Sequence, residues 1–146
     1  MSGKRTTKTD NSRGSQSTTR NIIKMHKKSG VYEIPTEING VQMHFIFDTG
    51  ASIISISMTE ASFLFKQGTL TESDVVGKGN FIDANGDISE GTIVILKSVK
   101  IGNKELTNIE ASIVHNLQAP LLMGQSALAK FGKITIDYKN NTITLD

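Results

Sequence analysis

Asp48 stands at the end of the apolar run Phe45-Ile46-Phe47 and is followed at once by Thr49-Gly50-Ala51-Ser52. A carboxylate at the end of a buried strand must be paired, hydrogen-bonded or neutralised, because burying it alone is too costly. Gly50 lets the backbone turn sharply just beyond it, and Thr49 and Ser52 put hydroxyls within reach of that turn. Such a carboxylate suits one half of an acid–base pair. Two carboxylates held close together cannot both ionise, so the pair keeps one proton. Peptide hydrolysis without a metal or a covalent nucleophile needs that combination. The ionised member takes a proton from an attacking water, the other polarises the carbonyl, and the proton inventory then serves the departing nitrogen. The apparent pKa values would belong to the pair.

The elements around Asp48 read as short strands. Val31 to Ile38, the pair Asn39-Gly40 and Val41 to Phe47 form a hairpin with a type I′ turn. In its second strand Val41, Met43, Phe45 and Phe47 share one face, and Gln42, His44, Ile46 and Asp48 the other. Ile53 to Ser57 alternates again, so Asp48 lies in a loop between two strands. Ser57 and Glu60 have capping-box spacing, and Met58, Ala61, Leu64 and Phe65 form a helical stripe that Gly68 ends. A second long hairpin runs from Val75 to Asp83, turns at Ala84-Asn85-Gly86-Asp87 and returns from Ile88 to Val99. A turn at Ile101-Gly102-Asn103-Lys104 leads to a strand from Leu106 to Val114. Leu121-Leu122-Met123 is a short apolar strand stopped by Gly124. Ser126 to Phe131 is a brief helix ended by Gly132, and Ile134 to Tyr138 with Thr142 to Leu145 closes the chain as a hairpin. Short strands, Gly/Asn turns and two small helices predict a compact all-β, barrel-like domain.

The chain has 146 residues, enough for one domain with a sizeable core, and no cysteine. Disulfides, thiolate nucleophiles and Cys–zinc sites are therefore excluded. No apolar run has the length of a membrane span, and no secretory signal follows the basic start, so a cytoplasmic location with no membrane partner is expected. The formal charge of +2 hides a split, because residues 1–30 carry eight of the sixteen Lys and Arg and a single acid, Asp10. Residues 1–28 are rich in Ser, Thr, Asn, Lys and Arg, with Ile22-Ile23 their one apolar pair. A disordered basic tail is expected there, ahead of a domain over 29–146. A solvated leader or trimmed pro-segment is favoured over a nucleic-acid arm, since no aromatic residues interleave the charges.

Two further constellations do not carry metal chemistry. Asp83-Ala84-Asn85-Gly86-Asp87 fails the calcium-loop pattern, because Ile88 holds the glycine position and Val94 the twelfth. His26, His44 and His115 lack ligand spacing. No metal and no cofactor are expected.

The order of hairpin, Phe47-Asp48-Thr49-Gly50-Ala51-Ser52, second hairpin, Leu121-Leu122-Met123-Gly124, short helix and closing hairpin resembles the retropepsin-like aspartic proteases (clan AA), especially the bacterial single-lobe members. Ala84-Asn85-Gly86 and Phe131-Gly132-Lys133-Ile134-Thr135-Ile136-Asp137-Tyr138 are also similar to that family. The resemblance runs from about Val31 to the C-terminus. It implies a retropepsin-like single-lobe barrel with two short helices that assembles as a two-fold homodimer, and an aspartic endopeptidase activity. None of the remaining aspartates precedes Thr-Gly or Ser-Gly, so a two-lobe enzyme in one chain is excluded. The second carboxylate is then Asp48 of a symmetry mate.

The same resemblance assigns the supporting roles. Thr49 would bond across the two-fold axis, Gly50 would permit the turn and offer its backbone to the dyad or substrate, and Ala51 and Ser52 would complete the loop. Gly124 would pack behind that loop. Ala84, Asn85 and Gly86 would form the tip of a flap closing over an extended peptide, bound largely by main-chain pairing. Ser52 departs from many retroviral members, which carry there a second aspartate that grips the substrate backbone. The flap tip departs too, with Asn-Gly set between acids. A non-hydrolytic dimerisation or peptide-binding module with the same fold is the alternative of a different class.

Overall fold

The computed structural model describes residues 21–82, 86 and 88–146. The hairpin that carries Asp48 consists of strands β3 (Val31–Ile38) and β4 (Val41–Phe47). Its turn residues Asn39 and Gly40 have φ of 50° and 86°, the paired positive values that a type I′ turn requires and that Asn-Gly adopts readily. Asn39 also binds the turn to the rest of the barrel. Its amide nitrogen donates to the Thr69 carbonyl at 2.9 Å, and its amide oxygen accepts from the Ser98 N–H at 3.1 Å. Along β4, Met43 and Phe45 are buried while Gln42 and His44 are exposed, so the period-2 pattern sets which face meets the core.

β5 (Ile54–Ser57) follows the Asp48 loop and leads into helix α1 (Met58–Gln67). Ser57 caps α1 by accepting the Thr59 N–H, its hydroxyl also meets the Glu60 carboxylate, and Gly68 ends the helix at φ 80°. Ala61 and Leu64 are buried, but Phe65, expected on the same stripe, is exposed. A 3-10 turn (Glu72–Asp74) precedes β6 (Val75–Ile82), β7 (Ile88–Ile101) and β8 (Lys104–Val114). Then come β9 (Leu122–Met123), α2 (Gln125–Lys130), β10 (Ile134–Asp137) and β11 (Thr142–Leu145).

The strands close on themselves. Six strands of the eight-stranded large sheet run β3-β4-β9-β5-β8-β7, and β7 pairs again with β3 through Glu37–Lys100 and Ile38–Val99. Closure removes most of the open edges of the sheet. The interior is filled by Ile34, Ile38, Phe45, Ile54, Ile56, Leu96, Ile101 and Met123, each at 0 % exposure. Each such side chain contributes about 1.5–3 kcal/mol relative to leaving it in water, so the barrel is a packed core and not a channel. The ladder between β6 and β7 has a register shift between Val75 and Gly77.

The N-terminal boundary departs from expectation. Residues 21–28, assigned to a disordered tail by composition, form β1 (Asn21–Lys24) and β2 (His26–Lys28). β2 pairs with β3, and β1 joins a separate three-stranded sheet ordered β10-β11-β1. Asn21, Ile23 and Met25 are buried while Ile22 and Lys24 are exposed, so a strand alternation underlies the polar composition. Asn21 supplies the anchor. Its side chain donates to the Ile101 carbonyl at 3.1 Å and accepts the Asn103 N–H at 3.0 Å. The remainder of the proposed tail, residues 1–20, lies outside the described residues. No helix among the described residues is long and apolar enough to cross a membrane.

Candidate active site

β4 delivers Asp48 to the surface at a fixed height because a two-residue strand holds its end. β9 lies parallel to β4, with Leu122 beside Ile46 and Met123 beside Phe47, and antiparallel to β5 at Leu122–Ser55. The Ile46 N–H donates to the Leu121 carbonyl at 2.8 Å, and the Asp48 N–H to the Met123 carbonyl at 3.2 Å. The chain then turns back, with the Ala51 N–H on the Asp48 carbonyl at 3.2 Å. Inside that turn the Gly50 N–H donates to Oδ1 of Asp48 at 2.9 Å. This bond restrains the carboxylate through Oδ1. Asp48 is half-buried, and Thr49, Gly50 and Ser52 are exposed.

Helix α2 locks the loop from behind. The first N–H groups of a helix have no partner within it, and here two of them turn to the loop: Gln125 N–H donates to the Ala51 carbonyl at 2.7 Å and Ser126 N–H to the Ser52 carbonyl at 2.9 Å. Gly124, the residue before α2, is buried against the backbone of Ile53. Asp48, Thr49, Gly50, Ala51, Ser52 and Gly124 thus form one constellation, drawn from two segments more than seventy residues apart in a 146-residue chain. For Ser52, the contact in this constellation runs through its carbonyl.

The β6–β7 hairpin occupies the position expected of a flap in sequence order, with Gly79 opposite Gly91 and Ile82 opposite Ile88. Gly86 is exposed at φ 85°, while Ala84 and Asn85 lie outside the described residues, as do Asp83 and Asp87. Sequence reasoning missed a tie at the base of this hairpin. His115 Nε2 and Thr92 Oγ1 are 2.7 Å apart, and the His115 N–H donates to the Glu90 carbonyl at 3.2 Å. The loop that begins at His115 continues over α1, where Met58 N–H meets the Asn116 carbonyl and Thr59 Oγ1 the Leu117 carbonyl. It ends at the β9 segment that holds Asp48. A histidine with no metal-ligand spacing gave no signal for this role.

On the other side of the loop, Phe47, Thr49, Leu128, Ile134 and Ile136 line an open groove of about 260 Å³. Asp137, at the end of β10, is held below the usual carboxylate range by the Asn140 side-chain amide and by the backbone N–H groups of Asn140 and Lys139. Among the described residues no group of three or more His, Cys, Asp or Glu could hold a metal ion. His26 and His44 stack edge to face at 6.1 Å on the outer surface, and Tyr32 lies 5.5 Å from the exposed Tyr138.

A family model of gag-polyprotein putative aspartyl proteases matches residues 34–130. Among solved structures, the chain is similar to a retropepsin-like aspartic protease from Rickettsia conorii, with 25% identity and a TM-score of 0.63 over 87% of this chain and 92% of that one. It also shares its fold with the retroviral protease-like domain of Ddi1 from Leishmania major, at 18% identity and a TM-score of 0.57, covering 82% of this chain and 90% of the other. No curated protein matches it in sequence.

Proposed function

Because the chain belongs to the gag-polyprotein putative aspartyl proteases, retropepsin-like in fold, we propose that it is a homodimeric aspartic endopeptidase acting on extended polypeptide. The observation that carries this reading is the Asp48 carboxylate, aligned by the Gly50 N–H on a loop that α2 and β9 brace from two sides. Bracing of this kind serves acid–base work, which needs the reacting groups held in place before the substrate arrives. One such loop supplies one carboxylate, so two chains make one site.

In the mechanism, a water bound between the two Asp48 carboxylates loses a proton to the ionised one as its oxygen attacks the scissile carbonyl carbon. The protonated carboxyl donates to the carbonyl oxygen, giving a tetrahedral diol. Collapse of the diol breaks the C–N bond, and the departing nitrogen takes a proton from the dyad. Thr49, exposed beside Asp48, is suited to bond across the axis. The β6–β7 hairpin is suited to cover a substrate strand, whose main chain would pair with it. Ser52 is shorter than aspartate and neutral, so the grip on the substrate backbone differs from that of retroviral members.

The test is cleavage of a broad peptide library by wild type and by Asp48→Ala, with the dimer fraction measured in parallel. The reading expects products from wild type alone, inhibition by a statine-type mimic and highest activity on the acid side. Equal behaviour of the two proteins would leave a peptide-binding or dimerisation module.

A further inference from the structure

We propose that His115 is a positioning residue: it clasps the β6–β7 hairpin where the hairpin leaves the barrel, and so sets its placement relative to the Asp48 strand. The proposal deepens the peptidase reading above and rests on it.

The hairpin leaves the barrel at Gly91. β8 runs beside β7 as far as Val114, which lies opposite Gly91. Past that pair, Ser89 and Ile88 have ladder partners only in β6 among the described residues. On the β6 side the residue opposite Gly91 is Gly79. Side-chain pairs across a ladder stiffen a sheet, and glycine has none to offer. At this level, then, no side-chain pair between β6 and β7 holds the direction of the hairpin.

His115 grips the residues on both sides of Gly91. Its N–H donates to the Glu90 carbonyl at 3.2 Å, and its Nε2 lies 2.7 Å from Thr92 Oγ1. A threonine hydroxyl both donates and accepts, so the second bond forms whether or not Nε2 carries a proton.

The clasp stands on a fixed base. The residues after His115 are bound to the start of α1, where the Met58 N–H donates to the Asn116 carbonyl at 3.1 Å and Thr59 Oγ1 to the Leu117 carbonyl at 2.9 Å. Asn116 also closes a local turn, with its Oδ1 accepting the Gln118 N–H at 2.8 Å. At the far end of the loop the Leu121 carbonyl accepts the Ile46 N–H at 2.8 Å, two residues before Asp48. Residues 115–121 therefore join the hairpin to the Asp48 strand. A substrate strand lying between the two is held only as well as their spacing is kept. Asp48 itself is braced by other bonds, from the Gly50 N–H and to the Met123 carbonyl, so losing the clasp acts on substrate affinity and not on proton transfer.

Thr92→Val and His115→Leu each remove the side-chain bond. Each is expected to raise KM for Asp48-dependent peptide cleavage about two- to tenfold, the range spanned by the loss of one hydrogen bond, with kcat held. The double variant should do no more than either single one. His115→Gln, which keeps a polar atom near the place of Nε2, should restore KM. Amide hydrogen exchange on the same proteins should rise in β6 and over residues 88–92, and stay unchanged in β3 and β4. Additive effects of the two substitutions, no recovery with glutamine, or a KM that merely tracks the urea midpoint would overturn the proposal. Cleavage and exchange together separate the two readings. A cleaving wild type whose variants change neither KM nor exchange refutes the clasp alone, whereas variants that loosen the hairpin of a protein that cleaves nothing refute the proposed activity alone.

Discussion

Gly124 packs so closely on Ile53 that a Cβ at Gly124 would fall on the Ile53 carbonyl oxygen, with the Ile53 carbonyl carbon at 2.7 Å and its amide nitrogen at 2.8 Å. All three neighbours are backbone, so no side chain can move aside. Gly124 is therefore required for closeness of approach and not for an unusual φ. Its close packing seats α2 where Gln125 and Ser126 can bond the Asp48 loop.

Gly124→Ala should accordingly destabilise the fold by about 1–3 kcal/mol or more, the usual cost of overpacking. A urea titration reads the loss as a lower midpoint. Peptide cleavage should fall further than the folded fraction does, since the displaced α2 no longer braces Ala51 and Ser52.

Asn21→Ala should cost about 1–3 kcal/mol, because it leaves the Ile101 carbonyl and the Asn103 N–H without their side-chain partner. Asn21 is buried and fills the space beside Gly102. Hydrogen exchange should rise in β11, which pairs with β1 from Thr142–Lys24 to Leu145–Asn21, while the barrel strands stay protected.

Two carboxylates are held below their ordinary range by local partners. Asp74 is held below its ordinary value of 3.8 first by the Lys97 side chain, at 2.7 Å, and then by the Thr71 N–H. Asp137 is lowered from the same value first by the Asn140 side chain. A carboxylate whose folded pKa is depressed stabilises above its unfolded pKa, and that contribution is lost as pH falls through the folded value. Wild type should therefore melt above Asp74→Asn and Asp137→Asn at neutral pH. The differences should shrink once the pH drops below about 4. Both sites reach solvent, so salt should reduce the Asp74–Lys97 share. A protease working on the acid side would keep these contributions over the upper part of its range.

The β3–β4 hairpin was legible because its turn chemistry is local: Asn39-Gly40 demands two positive φ values, and Met43 and Phe45 alternate with Gln42 and His44. Gly68 at the end of α1 was legible for the same reason. β1 and β2 were not, because a window average over residues 1–28 sees lysines and threonines and overlooks the alternation of Asn21, Ile23 and Met25. Their order comes from β11 and a turn at Ile101, both distant in sequence, and from β3, which β2 meets across the Ser29-Gly30 turn. The Asp48 loop and the Gly124 segment could each be found by motif, but the bonds joining them arise only when β9 enters between β4 and β5. His115 illustrates the remaining gap, since a hydrogen bond to Thr92 leaves no pattern in the chain.

The central claim is that each active site contains one Asp48 from each of two chains. Mixing wild type with Asp48→Asn under conditions where protomers exchange tests it directly. Only wild-type pairs hold two aspartates, so activity per chain should fall as the square of the wild-type fraction. A linear fall, with each wild-type chain keeping its full activity beside a mutant partner, would contradict the account.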